Sequence, residues 1–116
     1  MQTKRLYWDI AVLGGSAGVH ALGQGTASSE VAYTEFLINK IVNTTGDPAA
    51  VATLGTVADP ALTPITFSPG DYLMGLNSLA LVGSAFPTVN SPWAVTVTGG
   101  DFTGGLIEFV LIACRA

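Results

Sequence analysis

Short runs of β-branched and aromatic residues recur along this chain, and turn-forming residues separate them. Leu6–Leu13 ends at two glycines, and Leu106–Cys114 follows the sequence Gly-Gly-Asp-Phe-Thr-Gly-Gly. Trp93–Thr98 alternates between large apolar and small or hydroxylated residues. Such alternation puts every second side chain on one face of a strand, whereas a helix repeats every 3.6 residues. The pattern predicts an all-β chain of about six to eight short strands.

The remaining strands are predicted from shorter signals. Ala50–Val57, Ile65–Phe67 and Tyr72–Val82 are apolar and are bounded by residues that favour turns. Ser68–Asp71 is predicted to be a turn, because proline presets φ and glycine supplies a positive φ. Strands of this number and spacing are typical of an antiparallel sandwich or a barrel.

Ser29–Asn43 fits two kinds of secondary structure. Its apolar residues partly follow a helical period, and Ser28 or Ser29 is a suitable helix cap. The same residues also alternate as a strand would, and most are β-branched or aromatic. A turn sequence follows, from Asn43 to Pro48. We favour the strand.

The N-terminal quarter gives a different signal. Gly14–Ser29 consists mainly of small and polar residues, and a stretch of about 16 residues without structure is unusual inside a compact domain. We therefore expect one domain with two parts: an N-terminal strand and extended arm over residues 1–29, and a β-sandwich over residues 30–116. The arm is expected to lie against another subunit or against the surface to which the assembly attaches, through the apolar side chains Tyr7, Trp8, Ile10, Val12 and Leu13.

The composition argues against several functional classes. The 116 residues include four cations and carry a net charge of −4, which leaves no basic patch for nucleic acid. The single cysteine and single histidine cannot form an internal disulfide or a two-histidine metal site. The longest charge-free stretch, Tyr72–Gly100, is interrupted by Pro87 and Pro92, and its most apolar part is shorter than the ~20 residues of a spanning helix. No membrane segment is expected.

No group of residues predicts catalysis or a cofactor. His20 has no base or nucleophile assigned to it, and Cys114 lies in an apolar strand where a buried thiol is inert. Four loop aspartates are adjacent to glycine or proline: Asp47, Asp59, Asp71 and Asp101. Four carboxylates would suffice for calcium, but turn formation explains each one. We expect a protein that is not an enzyme and that binds no cofactor or metal.

The scarcity of charge is itself informative. Charged residues make up 10% of the chain, against about 25% in ordinary soluble domains. The surface must therefore consist largely of threonine, serine, glycine and apolar side chains. Interfaces of permanent oligomers are depleted in charge in the same way. We predict a subunit of a stable homo-oligomer.

Three stretches resemble the second half of small jelly-roll virion proteins of tailed bacteriophages. They are Ile65–Asn77, Val95–Phe102 and Ile107–Ile112, and the resemblance, over about residues 30–116, lies in strand rhythm and turn chemistry. It implies a jelly-roll sandwich and a homotrimer that decorates or cements a capsid by binding its major capsid protein. It implies no catalytic residues.

A carbohydrate-binding β-sandwich is the alternative function. In such a module Trp8 or Trp93 would stack on a sugar ring, with loop aspartates beside it. Aromatic side chains on alternating strands are more often part of the core. We therefore prefer the structural virion protein.

Overall fold

A computed structural model describes residues 2–29, 31–71, 80–85 and 87–115 of the chain. The described residues form eight strands and one four-residue helical turn, so the all-β prediction is confirmed. In chain order the elements are β1 (Gln2–Asp9), α1 (Ile10–Leu13), β2 (Gly18–Ala27), β3 (Ala32–Gly46), β4 (Val51–Thr56), β5 (Thr66–Phe67), β6 (Ala80–Ala85), β7 (Ser91–Thr98) and β8 (Phe102–Arg115).

The strands form two antiparallel sheets of four strands each. Sheet A has the order β1-β8-β3-β6, and sheet B has the order β2-β7-β4-β5. Strands β1 to β4 therefore alternate between the sheets, beginning in sheet A. Strands β5 to β8 also alternate, but they begin in sheet B, next to β4. This is the arrangement of an eight-stranded jelly roll. The predicted jelly-roll sandwich is confirmed.

The core lies between the inner faces of the two sheets and is centred on aromatic rings. Trp8 of β1 is fully buried; its ring centroid is 5.1 Å from that of Phe102 and 6.2 Å from that of Phe67. Since Phe67 belongs to sheet B and the other two rings to sheet A, this contact joins the sheets. Tyr33 of β3 meets Trp93 of β7 at 5.7 Å in the same way. Edge-to-face pairs of this kind add to the stabilisation from burial.

The predicted C-terminal strand is confirmed and occupies the centre of sheet A. β8 pairs with β1 on one side and with β3 on the other. The alternative left open for Ser29–Asn43 is also resolved: β3 is a strand from Ala32 to Gly46. It pairs with both β8 and β6, and its β-branched and aromatic side chains pack well on the pleated surface of a sheet.

The N-terminal segment belongs to the sandwich. β1 pairs with β8, and β2 pairs with β7, so the first 29 residues supply one strand to each sheet. The expectation of an extended arm is wrong for residues 18–27, and a boundary at residue 29 cuts through both sheets. The side chains of β2 gave little signal because it is an edge strand in which only Leu22 and Ala27 are buried. Its backbone pairing does not depend on large side chains.

Two other predicted segments end differently in the structure. The strand predicted over Leu6–Leu13 stops at Asp9, and the chain then makes the helical turn α1. Residues 72–79 of the strand predicted over Tyr72–Val82 lie outside the described residues, while its last residues belong to β6. The predicted turn at Ser68–Asp71 is confirmed: the Asp71 N–H donates to the Ser68 carbonyl at 3.1 Å, and Gly70 has a φ of 83°.

Candidate functional site: the outer faces of the two sheets

Charged residues divide unequally between the two sheets. The four described strands of sheet B contain no Asp, Glu, Lys or Arg. The strands of sheet A contain Lys4, Arg5, Asp9, Glu35, Lys40, Glu108 and Arg115. The sandwich therefore has one outer face with charges and one outer face built from uncharged strands.

The outer face of sheet B is crossed by one continuous row of side chains. Thr96 of β7 is opposite Val19 of β2 on one side and Thr53 of β4 on the other, and Thr53 is opposite Thr66 of β5. The Thr53 hydroxyl donates to the Thr66 hydroxyl at 3.2 Å. We call this surface the uncharged face; together with a neighbouring pair at one end, it consists of Val19, Val51, Thr53, Thr66, Thr96 and Thr98.

One end of sheet B is covered by the chain itself. A Cβ atom placed on Gly55 would lie 2.4 Å from the carbonyl oxygen of Pro60 and 2.5 Å from that of Asp59. The β4–β5 connection thus lies directly on the outer side of the sheet, which explains why Ala94, opposite Gly55, is fully buried. The uncharged face is the part of sheet B that this connection leaves open.

Thr96 lies at the centre of the uncharged face with an unsatisfied hydroxyl. Its Oγ1 atom is covered and has no hydrogen-bond partner among the described residues. Burying a hydroxyl without a partner costs free energy. Val19, next to Thr96 in the row, exposes 50% of its surface, so an apolar edge of the same row faces solvent.

The outer face of sheet A, on the opposite side of the sandwich, carries a cluster of polar side chains. Glu108 of β8 is 9% exposed. Its Oε2 atom accepts hydrogen bonds from the Tyr7 hydroxyl at 2.6 Å and from Arg5 Nη1 at 3.4 Å. Its Oε1 atom accepts a long hydrogen bond from Asn39 Nδ2 at 3.4 Å. The cluster therefore ties β1 and β3 to the central strand β8.

The same contacts shift two pKa values in opposite directions. The hydrogen bond from Tyr7, helped by Asn39 and Arg5, lowers the pKa of the Glu108 carboxyl although burial opposes this. The hydrogen bond to Glu108 raises the pKa of the Tyr7 hydroxyl. The protein thus favours a charged carboxylate and a neutral phenol, which is the combination that holds the bond. Beside this pair, a cavity of about 250 Å³ is lined by Arg5, Leu37, Ile38, Asn39, Glu108 and Val110.

Lys40 of β3 points into the sandwich and is only 3% exposed. Its Nζ atom donates to Asn43 Oδ1 at 2.9 Å and to the Asp71 carbonyl at 2.9 Å, with the Gly70 carbonyl at 3.5 Å. These acceptors are all uncharged oxygens, so the contact fixes the Ser68–Asp71 turn on β3 and does not form an ion pair.

The five side chains predicted to contact a partner lie in different surroundings. Trp8 and Ile10 are buried in the core, and the Trp8 indole N–H donates to the Gly14 carbonyl at 3.0 Å. These two side chains cannot contact a partner, because they are already buried between the two sheets. Leu13 is partly buried against the same core. Tyr7 is half-exposed, and Val12 exposes 76% of its surface.

The candidate chemical residues have structural partners. The Asp101 N–H donates to Asp47 Oδ2 at 2.9 Å, and Asp101 Oδ1 accepts from the Ala17 N–H at 2.9 Å. His20 Nε2 lies 2.6 Å from the Ser16 carbonyl oxygen. No three His, Cys, Asp or Glu residues come together as a metal site within the described ranges. The Asp47 and Asp101 carboxylates thus link loops that are distant in the sequence.

The tryptophans cannot form the sugar-stacking surface that the alternative function requires. Trp8 is 0% exposed and Trp93 is 1% exposed, so neither ring can stack on a ligand. Both are used to join the two sheets. Within the part of the chain that the structure describes, no helix is long and apolar enough to cross a membrane.

Sequence reasoning did not find the two surfaces described above. The uncharged face depends on which strands share a sheet, and β2 was not predicted as a strand at all. The signal available was the absence of charge from residues 18–27, 51–56 and 91–98. Glu108 was visible as a lone carboxylate in an apolar strand, but its partner Tyr7 is 101 positions away in the sequence.

Comparison with known structures finds the same fold in a phage particle. The chain superposes with a TM-score of 0.57 and 9% sequence identity on a chain of the structure described as "Acidic stable capsid structure of Helicobacter pylori bacteriophage KHP30". The superposition covers 97% of this chain and 85% of the other. At this identity the likeness shows a shared fold. Comparison with protein-family models and with curated proteins found no match.

Proposed function

We propose that this chain is a structural protein of a phage virion, specifically a decoration or cement subunit on the capsid surface. In this role it acts as a homotrimer that binds the major capsid protein and stabilises the shell through protein–protein contacts. It performs no catalysis and needs no cofactor.

The observation that carries this proposal is the shared fold over nearly the whole chain. The likeness to a chain of a phage capsid structure spans 97% of this sequence, so it extends over nearly the whole sandwich. A jelly roll also serves lectins and enzymes, so the fold needs a second argument. The second argument is the surface: the described strands of sheet B contain no Asp, Glu, Lys or Arg.

An uncharged outer face suits a subunit of an assembly better than a free monomer. Charged side chains keep a small domain soluble, and obligate interfaces are the surfaces from which they are depleted. Many copies on one shell also reinforce one another, since a contact too weak to hold one molecule becomes effective when several are linked. Small interfaces are therefore sufficient for a cement protein that binds as a trimer.

The proposal is tested on particles purified from cells that express the chain from its native genome. Mass spectrometry should find the chain in the particles at a fixed ratio to the major shell protein. Electron microscopy should place it on the outer surface. A chain that is absent from purified particles would refute the virion role.

The cement role needs a separate measurement. Particles made without the chain should release their nucleic acid at a lower temperature than complete particles. Adding the purified wild-type chain should restore the higher temperature, and adding heat-unfolded chain should not. If the release temperature does not depend on the chain, it is a virion protein that does not cement the shell.

A further inference from the structure

We propose that the uncharged face turns inward to a threefold axis and packs against the same face of two further copies of this chain. This inference rests on the homotrimer in the proposed function. It adds which surface makes the trimer. The occupant of the face is thus a second copy of the chain, and the polar cluster of sheet A remains on the outside.

Charge is the first reason to choose a second copy. Each copy carries a net charge of −4, so two copies repel when their charged surfaces approach. Loop aspartates lie at the turns, for example Asp47 and Asp101, and sheet A carries Glu35 and Glu108. Two uncharged faces meet without placing like charges opposite one another. A basic partner would gain nothing on this face.

The side chains of the face suit a tightly packed interface. Threonine and valine have short side chains, so burying them costs less rotamer entropy than burying Lys, Glu or Gln. Hydroxyl groups both donate and accept hydrogen bonds, so the exposed Thr66 and Thr98 can pair with the same residues of another copy. Val19 supplies apolar area at one end of the row, where it is half-exposed.

The dimensions of the face fit a trimer. Strands lie about 4.8 Å apart, so the row across four strands is about 19 Å wide. Three such faces arranged as a triangular prism lie about 5.5 Å from their common axis. Packed sheets are about 10 Å apart, which leaves about 5 Å for the side chains of each sheet. Three uncharged faces are therefore close enough to pack around the axis at the end of sheet B that the β4–β5 connection leaves open.

The experiment compares a lysine introduced on the uncharged face with a lysine introduced on sheet A. Val19→Lys and Thr66→Lys each add a lysine to the edges of the uncharged face. Thr3→Lys is the matched control, because Thr3 is an exposed threonine on an edge strand of sheet A. Light scattering during size-exclusion chromatography measures the mass, and far-UV circular dichroism checks that each variant is folded.

We expect the wild type and Thr3→Lys to have the mass of three 11.9 kDa chains. Val19→Lys and Thr66→Lys should show a threefold lower mass at the same concentration, with unchanged dichroism. If both variants stay trimeric, the inference is overturned. If they stay trimeric but no longer bind chain-free particles, the face belongs to the shell contact instead.

Thiol labelling provides a second measurement that does not depend on a disruptive charge. Thr66→Cys should react more slowly with a maleimide in the trimer than Thr3→Cys does, and peptide mapping by mass distinguishes the new thiols from Cys114. Equal rates overturn the inference. A wild type that is monomeric in solution but present in virions would overturn the inference and the homotrimer, and would leave the virion role standing. A trimer whose uncharged face is buried but which is absent from virions would refute the virion role and leave the inference standing.

Discussion

The side-chain amide of Gln24 takes the place of a neighbouring strand for Tyr7. Its Oε1 atom accepts from the Tyr7 N–H at 2.7 Å, and its Nε2 atom donates to the Tyr7 carbonyl at 2.6 Å. Tyr7 lies in β1, an edge strand of sheet A, while Gln24 lies in β2 of sheet B. One amide therefore satisfies two free edge groups and closes the sandwich at this corner.

Replacing Gln24 should break the contact between β1 and β2 and lower the free energy of unfolding. Gln24→Ala removes both hydrogen bonds, each worth about 0.5–1.5 kcal/mol, so we expect a loss of about 1–2 kcal/mol in the free energy of unfolding. Gln24→Glu keeps the acceptor but loses the donor, and should cost at least as much near neutral pH. Urea unfolding measures both. A change for Gln24→Ala no larger than for the exposed Thr3→Ala would contradict this account.

Thr96 offers a stabilising substitution. Its hydroxyl is covered and unpaired among the described residues, whereas the hydroxyl of Thr53, one strand away, donates to Thr66. Thr96→Val removes an unsatisfied group and keeps the β-branched shape, so we expect a gain of about 1 kcal/mol. Thr53→Val is the control and should give no gain, because it breaks a bond. Thermal unfolding of the two variants should rank them in that order.

The hydrogen bond between Tyr7 and Glu108 should make the free energy of unfolding depend on pH in both the acidic and the alkaline range. The folded pKa of Glu108 is lowered, so its contribution is present above the unfolded value of about 4.3 and is lost as the pH falls through the folded pKa. The pKa of Tyr7 is raised, so its contribution is present below about 10 and is lost as the pH rises through the folded value. Glu108→Gln should flatten the acidic limb of a stability–pH curve. Glu35→Gln, at an exposed carboxylate on the same face, is the matched control for the loss of one negative charge. An identical acidic limb in wild type and Glu108→Gln would contradict the assignment.

The N-terminal segment should prove essential for folding. Trp8 is fully buried against Phe67 and Phe102, so Trp8→Ala should cost about 3–5 kcal/mol. Val12, four positions away and exposed, provides the control, and Val12→Ala should change stability by less than about 0.5 kcal/mol. Denaturant titration measures both. If Trp8→Ala unfolds no more easily than Val12→Ala but impairs assembly, the segment is an arm after all.

Local patterns were sufficient where a strand is buried on one side. In β7, Trp93, Val95 and Val97 face the core as the alternation predicts. β8 was found because it is apolar and continuous, as expected for the central strand of a sheet. β2 was missed because an edge strand needs few large side chains, and its glycines resemble a loop. Gly23 and Gly25 have φ values of 70° and 104° and lie where its register with β7 shifts.

The candidate surfaces could not be predicted by the same reasoning. Each depends on residues that are distant in the sequence and become neighbours only through strand order. Tyr7 and Glu108 are paired because β1 and β8 are adjacent, and Val19 joins Thr53 and Thr66 because β7 lies between β2 and β4. A sequence shows which strands lack charge, but not that these strands share one sheet.

The sequence by itself determined that the chain is all-β, where most strands run and which of their faces are apolar, because side chains alternate along a strand with a period of two. It also determined that little charge is available for the surface. Only the tertiary structure decided how the strands are ordered, that Trp8 and Ile10 belong to the core, and that the uncharged strands form one sheet. Strand order depends on backbone pairing and on packing between distant segments, and neither leaves a local mark in the sequence.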